Sequence, residues 1–347
     1  MKRSKETCQE VVAGVDSNGA VSARLVMPQL RFPVADWEPY LRLAARGVGG
    51  FCVFGGDTGL KAHLDRLQAA APHPLLIAAD LEAGAGQQFA GLSVHPPAAV
   101  LDPDAAEAAG VRTAVEARRL GVTMTFAPVC DVASEPRNPI IQGRAFPDPS
   151  ACAPRFVAGA RRFGLRTCAK HFPGHGATVL DSHDALPVVE ADAATWRARD
   201  LPPFAACIAA GVDAVMTAHL ACPALTDSAT LPATLSRAVM TDLLRGEMGF
   251  DGLVLTDALL MEGVRGGRTE AEAALLSLEA GCDVLLCPED VEGVLAAAEG
   301  ADAEASLARI AAAATPLPDP LETAADASVA ARGDLPVVPG PHAPRLF

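Results

Sequence analysis

The sequence predicts an α/β fold: a single (β/α)8 barrel with a short proline-rich C-terminal tail. Three observations carry this expectation. Eight short apolar runs recur along the chain, and alanine-rich stretches with apolar residues every three or four positions lie between them. The runs are continuous and do not alternate, as expected of parallel strands covered on both faces. No glycine-rich dinucleotide fingerprint follows the first run, which disfavours an open doubly wound sheet. Eight alternations in about 290 residues suit a closed barrel better.

In chain order the runs are ARLVMP (23–28), GFCVFG (50–55), LLIAAD (75–80) and VTMTFAP (122–128). LRTCAKH (165–171), DAVMTAH (213–219), GLVLTDA (252–258) and CDVLLCP (282–288) complete the set. Between them, ADWEPYLRLAARGV, DAAEAAGVRTAVEARRLG, SRAVMTDLLRGEMG and TEAEAALLSLEAG read as crossover helices. Several of these stop at glycine, the residue that caps a helix C-terminus most cheaply. The expected organisation is a lead segment (1–20), the barrel (21–315) and an extended Pro/Ala-rich tail (316–347). The tail holds seven of the 28 prolines and has little apolar periodicity.

Composition narrows the function classes. A chain of 347 residues, half of them hydrophobic, can bury a large core without disulfides. The net charge of −14 argues against a nucleic-acid surface. The nine cysteines are odd in number, contain no CxxC pair and sit largely in apolar runs, so they read as buried thiols in a reducing compartment. The basic start MKRSKETCQEVV is followed by no apolar stretch of signal-peptide length, and no window approaches a membrane span. The expected location is the cytoplasm.

Polar residues collect where a barrel does its chemistry, at the C-terminal ends of the strands. Asp80, Asp131, Lys170, His171, His219 and Asp257 all stand at or just past the end of a run. The stretch KHFPGHGATVLDSH (170–183) adds His175, Asp181 and His183. Three chemistries could use such a mouth. A metal hydrolase is disfavoured because Pro173 and Gly174 separate His171 from His175, which removes the helical face of an HExxH-type site. Acid–base and nucleophilic work on a sugar would use Asp257 as nucleophile and His183, oriented by Asp181, as proton donor. Ligand binding without turnover is the third.

These residues are similar to a known family. KHFPGHGATVLDSHDALP resembles the signature of family 3 glycoside hydrolases of the bacterial β-N-acetylglucosaminidase type. APVCDVASEPRNPIIQGRAFPDP (127–149), DAVMTAHLACPALTD (213–227), PATLS (232–236), LLRGEMGFDGLVLTDALLMEG (243–263) and AGCDVLLCP (280–288) follow in the family's order. The resemblance covers roughly residues 22 to 300. It implies a (β/α)8 barrel, Asp257 as the nucleophile of a covalent glycosyl-enzyme, and His183 as acid/base on a mobile loop with Asp181 orienting it. It further implies that Lys170, His171 and Asp80 bond sugar hydroxyls, that Arg144 lies near the substrate and that His175 supports the loop. The implied substrate is a terminal β-linked N-acetylglucosamine, as in muropeptides, with no metal or other cofactor. No nucleic acid, membrane or obligate protein partner is expected. One departure stands out: the family's usual Asp-Gln-Glu-Gly-Gly-Arg-Val-x-Arg is replaced by DLEAGAGQQ, with Gly86 and Gln88 read at the two arginine positions. That motivates two alternatives: a family 3 glycosidase or phosphorylase for another β-hexoside, and a silent binder of cell-wall fragments.

Overall fold

The computed structural model of the protein describes residues 22–315, so the expected lead segment and tail lie outside the described residues. Nine short strands form one all-parallel sheet: β1 (Val26–Met27), β2 (Gln29–Arg31), β3 (Gly50–Phe54), β4 (Leu76–Ala79), β5 (Met124–Thr125), β6 (Arg166–Phe172), β7 (Ala214–Thr217), β8 (Leu253–Ala258) and β9 (Val284–Leu286). β1 and β2 are two halves of one barrel strand. Pro28 separates them because it has no N–H to give a ladder, although its carbonyl still accepts from Cys52 N at 2.9 Å. β1 pairs with β9 through Val26 and Leu285, and β2 pairs with β3 through Leu30 and Val53. One stretch of chain therefore closes the ring, and the topology is that of a (β/α)8 barrel.

The first strand differs from the expectation. The run begins at Ala23, but Ala23–Leu25 forms a short 3-10 turn, and the strand extends to Arg31. Gln29-Leu30-Arg31 is invisible to an apolar count because two of its three side chains are polar, Gln29 half-buried and Arg31 exposed, while Leu30 is fully buried. β5 is also shorter than its run, only Met124–Thr125; Val129 nevertheless bridges in parallel to Lys170 beyond it.

Helices cover the outside of the ring. Pro103–Arg119 and Pro149–Arg162 start with aspartate caps: the Asp102 side chain accepts from Ala105 N and the Asp148 side chain from Ala151 N. Glu270–Ala280 starts with a Thr269/Glu272 capping box and ends at Gly281, whose φ of 114° only glycine adopts easily. Two hydrophobic layers result. One lies between sheet and helices and includes Phe51, Phe156, Trp196 and Phe204. The other fills the barrel and is rich in sulfur, with Met27, Cys52, Met124, Cys168, Met216 and Cys287. All eight cysteines among the described residues are buried and free.

The two helices that flank β5 and aim β6 meet through glycines. A Cβ on Gly110 would lie 2.3 Å from Phe156 O, and one on Gly159 would lie 2.2 Å from Glu107 O. Gly110→Ala must therefore push the helices apart, at an expected cost of about 1–3 kcal/mol. Chemical denaturation measures this, and an unchanged midpoint would refute the close packing.

Candidate active site

All the singled-out strand-end residues gather at the C-terminal mouth of the barrel. A cleft of about 530 Å3 opens there, lined by Asp80, Arg144, Lys170, His171, His175, His183 and Asp257 among others. Its polar side comes from the ends of β4 to β6. Its other side is apolar and carries Cys52, Phe54, Met261, Leu286 and Cys287.

Lys170 is the centre of the polar side. Its side chain is 2 % exposed, and Nζ donates to Asp80 Oδ1 at 2.6 Å and contacts Glu82 Oε1 at 2.6 Å. Arg144 grips the same glutamate with both arms of its fork, Nε to Oε2 at 2.9 Å and a terminal nitrogen to Oε1 at 2.8 Å. Burial opposes charge on each of these groups, yet the opposite charges prevail. Glu82 is held far below the usual carboxylate range by Arg144 and Lys170, and Lys170 and Arg144 are pushed above their ordinary values by Asp80 and Glu82. Glu82, Lys170 and Arg144 therefore keep their charges at neutral pH.

His171 is fixed from behind. Asp131, fully buried, accepts from His171 Nδ1 at 2.7 Å with one oxygen, and from the backbone N–H groups of His171 and His175 at 3.2 and 2.6 Å with the other. Burial would raise the Asp131 carboxyl, but the two histidines bring it below its usual value. Nδ1 is thus committed as a donor, and the opposite nitrogen of the ring is the one turned from Asp131. His175 is buried and bonds Thr178 Oγ1 at 2.9 Å and Ser182 Oγ at 3.0 Å. Burial lowers its pKa to about 4, so it is a neutral strut at neutral pH.

The chain then returns over the mouth. His183 Nδ1 donates to Asp181 Oδ1 at 2.5 Å, and the same oxygen accepts the His183 backbone N–H at 2.9 Å. These bonds outweigh partial burial and keep the Asp181 carboxyl below its ordinary pKa. Both side chains are 31 % exposed, and His183 lines the cleft. The returning segment is tied to the short helix after β8 (Glu262–Arg265), where Gly263 N donates to Ser182 O at 2.9 Å and Glu262 N to His183 O at 3.3 Å.

Asp257 lies in β8, 7 % exposed, with Oδ1 accepting from Ala258 N at 2.8 Å. Burial pushes its carboxyl up, but His171, His219, the Ala258 N–H and Lys170 together bring it below the ordinary aspartate value. It is therefore a buried yet ionised carboxylate facing the cleft. His219 is behind this group. It is fully buried, its Nε2 donates to Ala258 O at 3.2 Å, and its Nδ1 accepts from Thr234 Oγ1 at 2.8 Å. Burial lowers its pKa, and it braces the strand end next to Asp257 without lining the cleft.

Glu82 is the residue that reading the sequence missed. Its signal was its spacing: two residues past Asp80, it returns to the side of the strand end that faces Lys170. The arginine positions also need correction. Counted from Asp80, the first falls on Ala85, not Gly86, while Gln88 stays at the second. Ala85 is fully buried, and a Cβ on Gly86 would lie 2.4 Å from Leu92 O, so neither place has room for a guanidinium. Gln88 accepts from Gly55 N at 3.2 Å and caps the end of β3. Among the described residues no group of three His, Cys, Asp or Glu side chains is placed to hold a metal ion. No described helix is long and apolar enough to cross a membrane.

Comparison with known proteins adds to this geometry. Residues 43–315 match the family model described as the glycosyl hydrolase family 3 N terminal domain. A beta-hexosaminidase of Chromobacterium violaceum is 39% identical over 278 residues, covering 74% of this chain and 77% of that protein. Among solved structures, a family 3 beta-N-acetylglucosaminidase from Paenibacillus sp. superposes with a TM-score of 0.80 at 33% identity, covering 86% of this chain. The chain spans 62% of that enzyme's length. A beta-N-acetylhexosaminidase from Beutenbergia cavernae gives a TM-score of 0.72 at 30% identity, covering 86% of this chain and 96% of that one.

Proposed function

The chain belongs to glycosyl hydrolase family 3, and from that premise we propose that it is a retaining exo-β-N-acetylglucosaminidase. The observation that carries this reading is the pairing, across one cleft, of an ionised buried Asp257 with a His183 whose Nδ1 is committed to Asp181. The beta-hexosaminidase and beta-N-acetylglucosaminidase relatives support the choice of sugar.

In the first step the Asp257 carboxylate attacks the anomeric carbon while His183 Nε2 gives its proton to the departing glycosidic oxygen. A glycosyl-enzyme ester forms and the aglycone leaves. In the second step the same nitrogen takes a proton from water, and the hydroxide formed displaces Asp257 with restoration of the original anomeric configuration. Asp181 holds the ring tautomer and stabilises the imidazolium, as the aspartate of a serine-protease triad does. Lys170, Asp80 and the Nε2 edge of His171 hold the sugar hydroxyls, and Arg144 keeps Glu82 in place against Lys170. Muropeptides are the proposed natural source of the substrate, and the cytoplasm is the proposed location.

His183→Ala separates the roles by leaving group. With a poor leaving group, such as a disaccharide's second sugar, kcat/KM should fall 10²–10⁴-fold, about the size of a general-acid contribution. With 2,4-dinitrophenyl β-N-acetylglucosaminide, whose departure needs no proton, it should fall much less. Equal losses on the two substrates would remove His183 as the acid. Repeating the wild-type assay with added phosphate separates hydrolysis from phosphorolysis; a glycosyl phosphate product would replace hydrolysis by the transferase reading.

The acid limb of the wild-type profile should lie low. Both Asp257 and Asp181 have carboxyls below their ordinary values, so kcat/KM should hold throughout the usual carboxylate range and fall only below it. A carboxylate-controlled fall between about pH 5 and 6 would contradict that ionisation.

A further inference from the structure

We infer that Arg31 is an anion receptor at the rim of the cleft, and that the substrate carries a carboxylate or phosphate group there. Arg31 ends β2, in register with Phe54 at the end of β3. Its guanidinium lies 4.3 Å from the centroid of the Phe54 ring, and Phe54 lines the cleft. Its Nε donates to Gln29 Oε1 at 2.8 Å. Aromatic face and glutamine together fix the plane of the group and occupy one edge of its fork. The edge formed by the two terminal nitrogens is the one that suits a carboxylate or phosphate bidentately.

Charge accounting separates Arg31 from the other cations of the mouth. Lys170 is matched by Asp80 and Glu82, and Arg144 by Glu82. Among the described residues Arg31 has no ion-pair partner, although the chain carries a net charge of −14. Arg31 is also exposed and does not line the cleft. It therefore addresses a group that projects out of the pocket, whether from the terminal sugar or from the aglycone. At the second family-arginine position Gln88 caps Gly55, the residue after Phe54, so that side chain brings no charge to this corner. Arg31 supplies one from the neighbouring strand.

This inference rests on the β-N-acetylglucosaminidase reading for its choice of probes. Three are compared on the full-length wild type, Arg31→Gln and Arg31→Lys. They are a neutral disaccharide of N-acetylglucosamine, an N-acetylglucosaminyl disaccharide whose second sugar bears a carboxylate, and an aryl β-N-acetylglucosaminide 6-phosphate. Arg31→Gln should raise KM roughly tenfold for an anionic substrate, the worth of one charged bidentate contact at a partly exposed site. The neutral disaccharide should keep its KM, and Arg31→Lys should fall between. A loss confined to the carboxylate places the anion on the aglycone, and one confined to the phosphate places it on the terminal sugar. A change shared equally by charged and neutral substrates, or no change at all, overturns the assignment. Should the wild type cleave none of them, the glycosidase reading fails by itself. Calorimetric titration of the uncleaved carboxylate disaccharide and of the 6-phosphate glycoside into wild type and Arg31→Gln then still decides the receptor: tenfold weaker binding of either upholds it and equal binding of both refutes it.

Discussion

Asp257→Ala is expected to lower kcat on an aryl β-N-acetylglucosaminide by more than about 10⁴-fold, because in the proposed double displacement no other group can take over the covalent step. Other acidic groups stand in or beside the cleft, but they are already committed. Asp80 bonds Lys170, Glu82 bonds Lys170 and Arg144, and Asp131 bonds His171 from outside the lining. Asp257 by contrast makes one hydrogen bond to its own neighbour's N–H and remains ionised while buried. An alanine there removes the proposed nucleophile with little disturbance of the bonds around it. Steady-state kinetics check the rate, and mass spectrometry of a quenched fluorosugar reaction checks the adduct: wild type should carry one sugar on the peptide containing Asp257. An alanine variant within a factor of about 100 of wild type would exclude Asp257 as the nucleophile.

Glu82→Ala is expected to cost about 3–5 kcal/mol of stability, because it strands the buried Arg144 guanidinium and takes one of two carboxylates from Lys170. Lys170 would keep Asp80, but Arg144, only 18 % exposed, would lose both arms of its grip. For a domain of this size the loss corresponds to a drop in Tm on the order of 10 °C. The pH dependence follows from the signs. The Glu82 carboxyl is depressed in the folded state, so its contribution is fully present above about pH 4.3, the unfolded value, and is lost as pH falls toward the folded one. Lys170 is raised in the folded state, so its contribution is present below about pH 10.4 and lost as pH rises through the folded value. Wild type and Glu82→Ala should therefore differ most between those limits and converge in acid. Calorimetric melts across pH measure this, and equal melting temperatures at neutral pH would show that the cluster is not a unit.

Much of the fold could be read from the succession of apolar runs, because a parallel barrel strand is apolar on both faces and announces itself as a run. The stretch after Pro28 escaped, since a strand of three residues with two polar side chains carries no such signal. The site was legible in part for a related reason. Strand-end position brought Asp80, Asp131, Lys170, His171 and Asp257 together before any coordinates did. The partnerships were not legible, because they join residues far apart in the chain: Lys170 meets Asp80 across ninety positions and Arg144 meets Glu82 across sixty-two. Local pattern says which groups reach the mouth, and only the closed ring says which of them touch. His219 shows the limit most plainly. Its place at the end of a strand equals that of His171, yet Thr234 and the Ala258 carbonyl claim both its nitrogens.

The closure of the ring by Val26 against Leu285 also sets an order of events during synthesis. The first barrel strand emerges early, and its last neighbour emerges near the end of the described chain. Until then both edges of a growing parallel sheet stand open, a state that is slow to resolve and prone to wrong pairing. The cleft shares that timetable, since Phe54 comes from one side of the seam and Leu286 and Cys287 from the other. A nascent chain stalled before β9 would hold Asp257 and His183 but not the Leu286 and Cys287 wall of the cleft, so the pocket is completed only when the last strand joins the first.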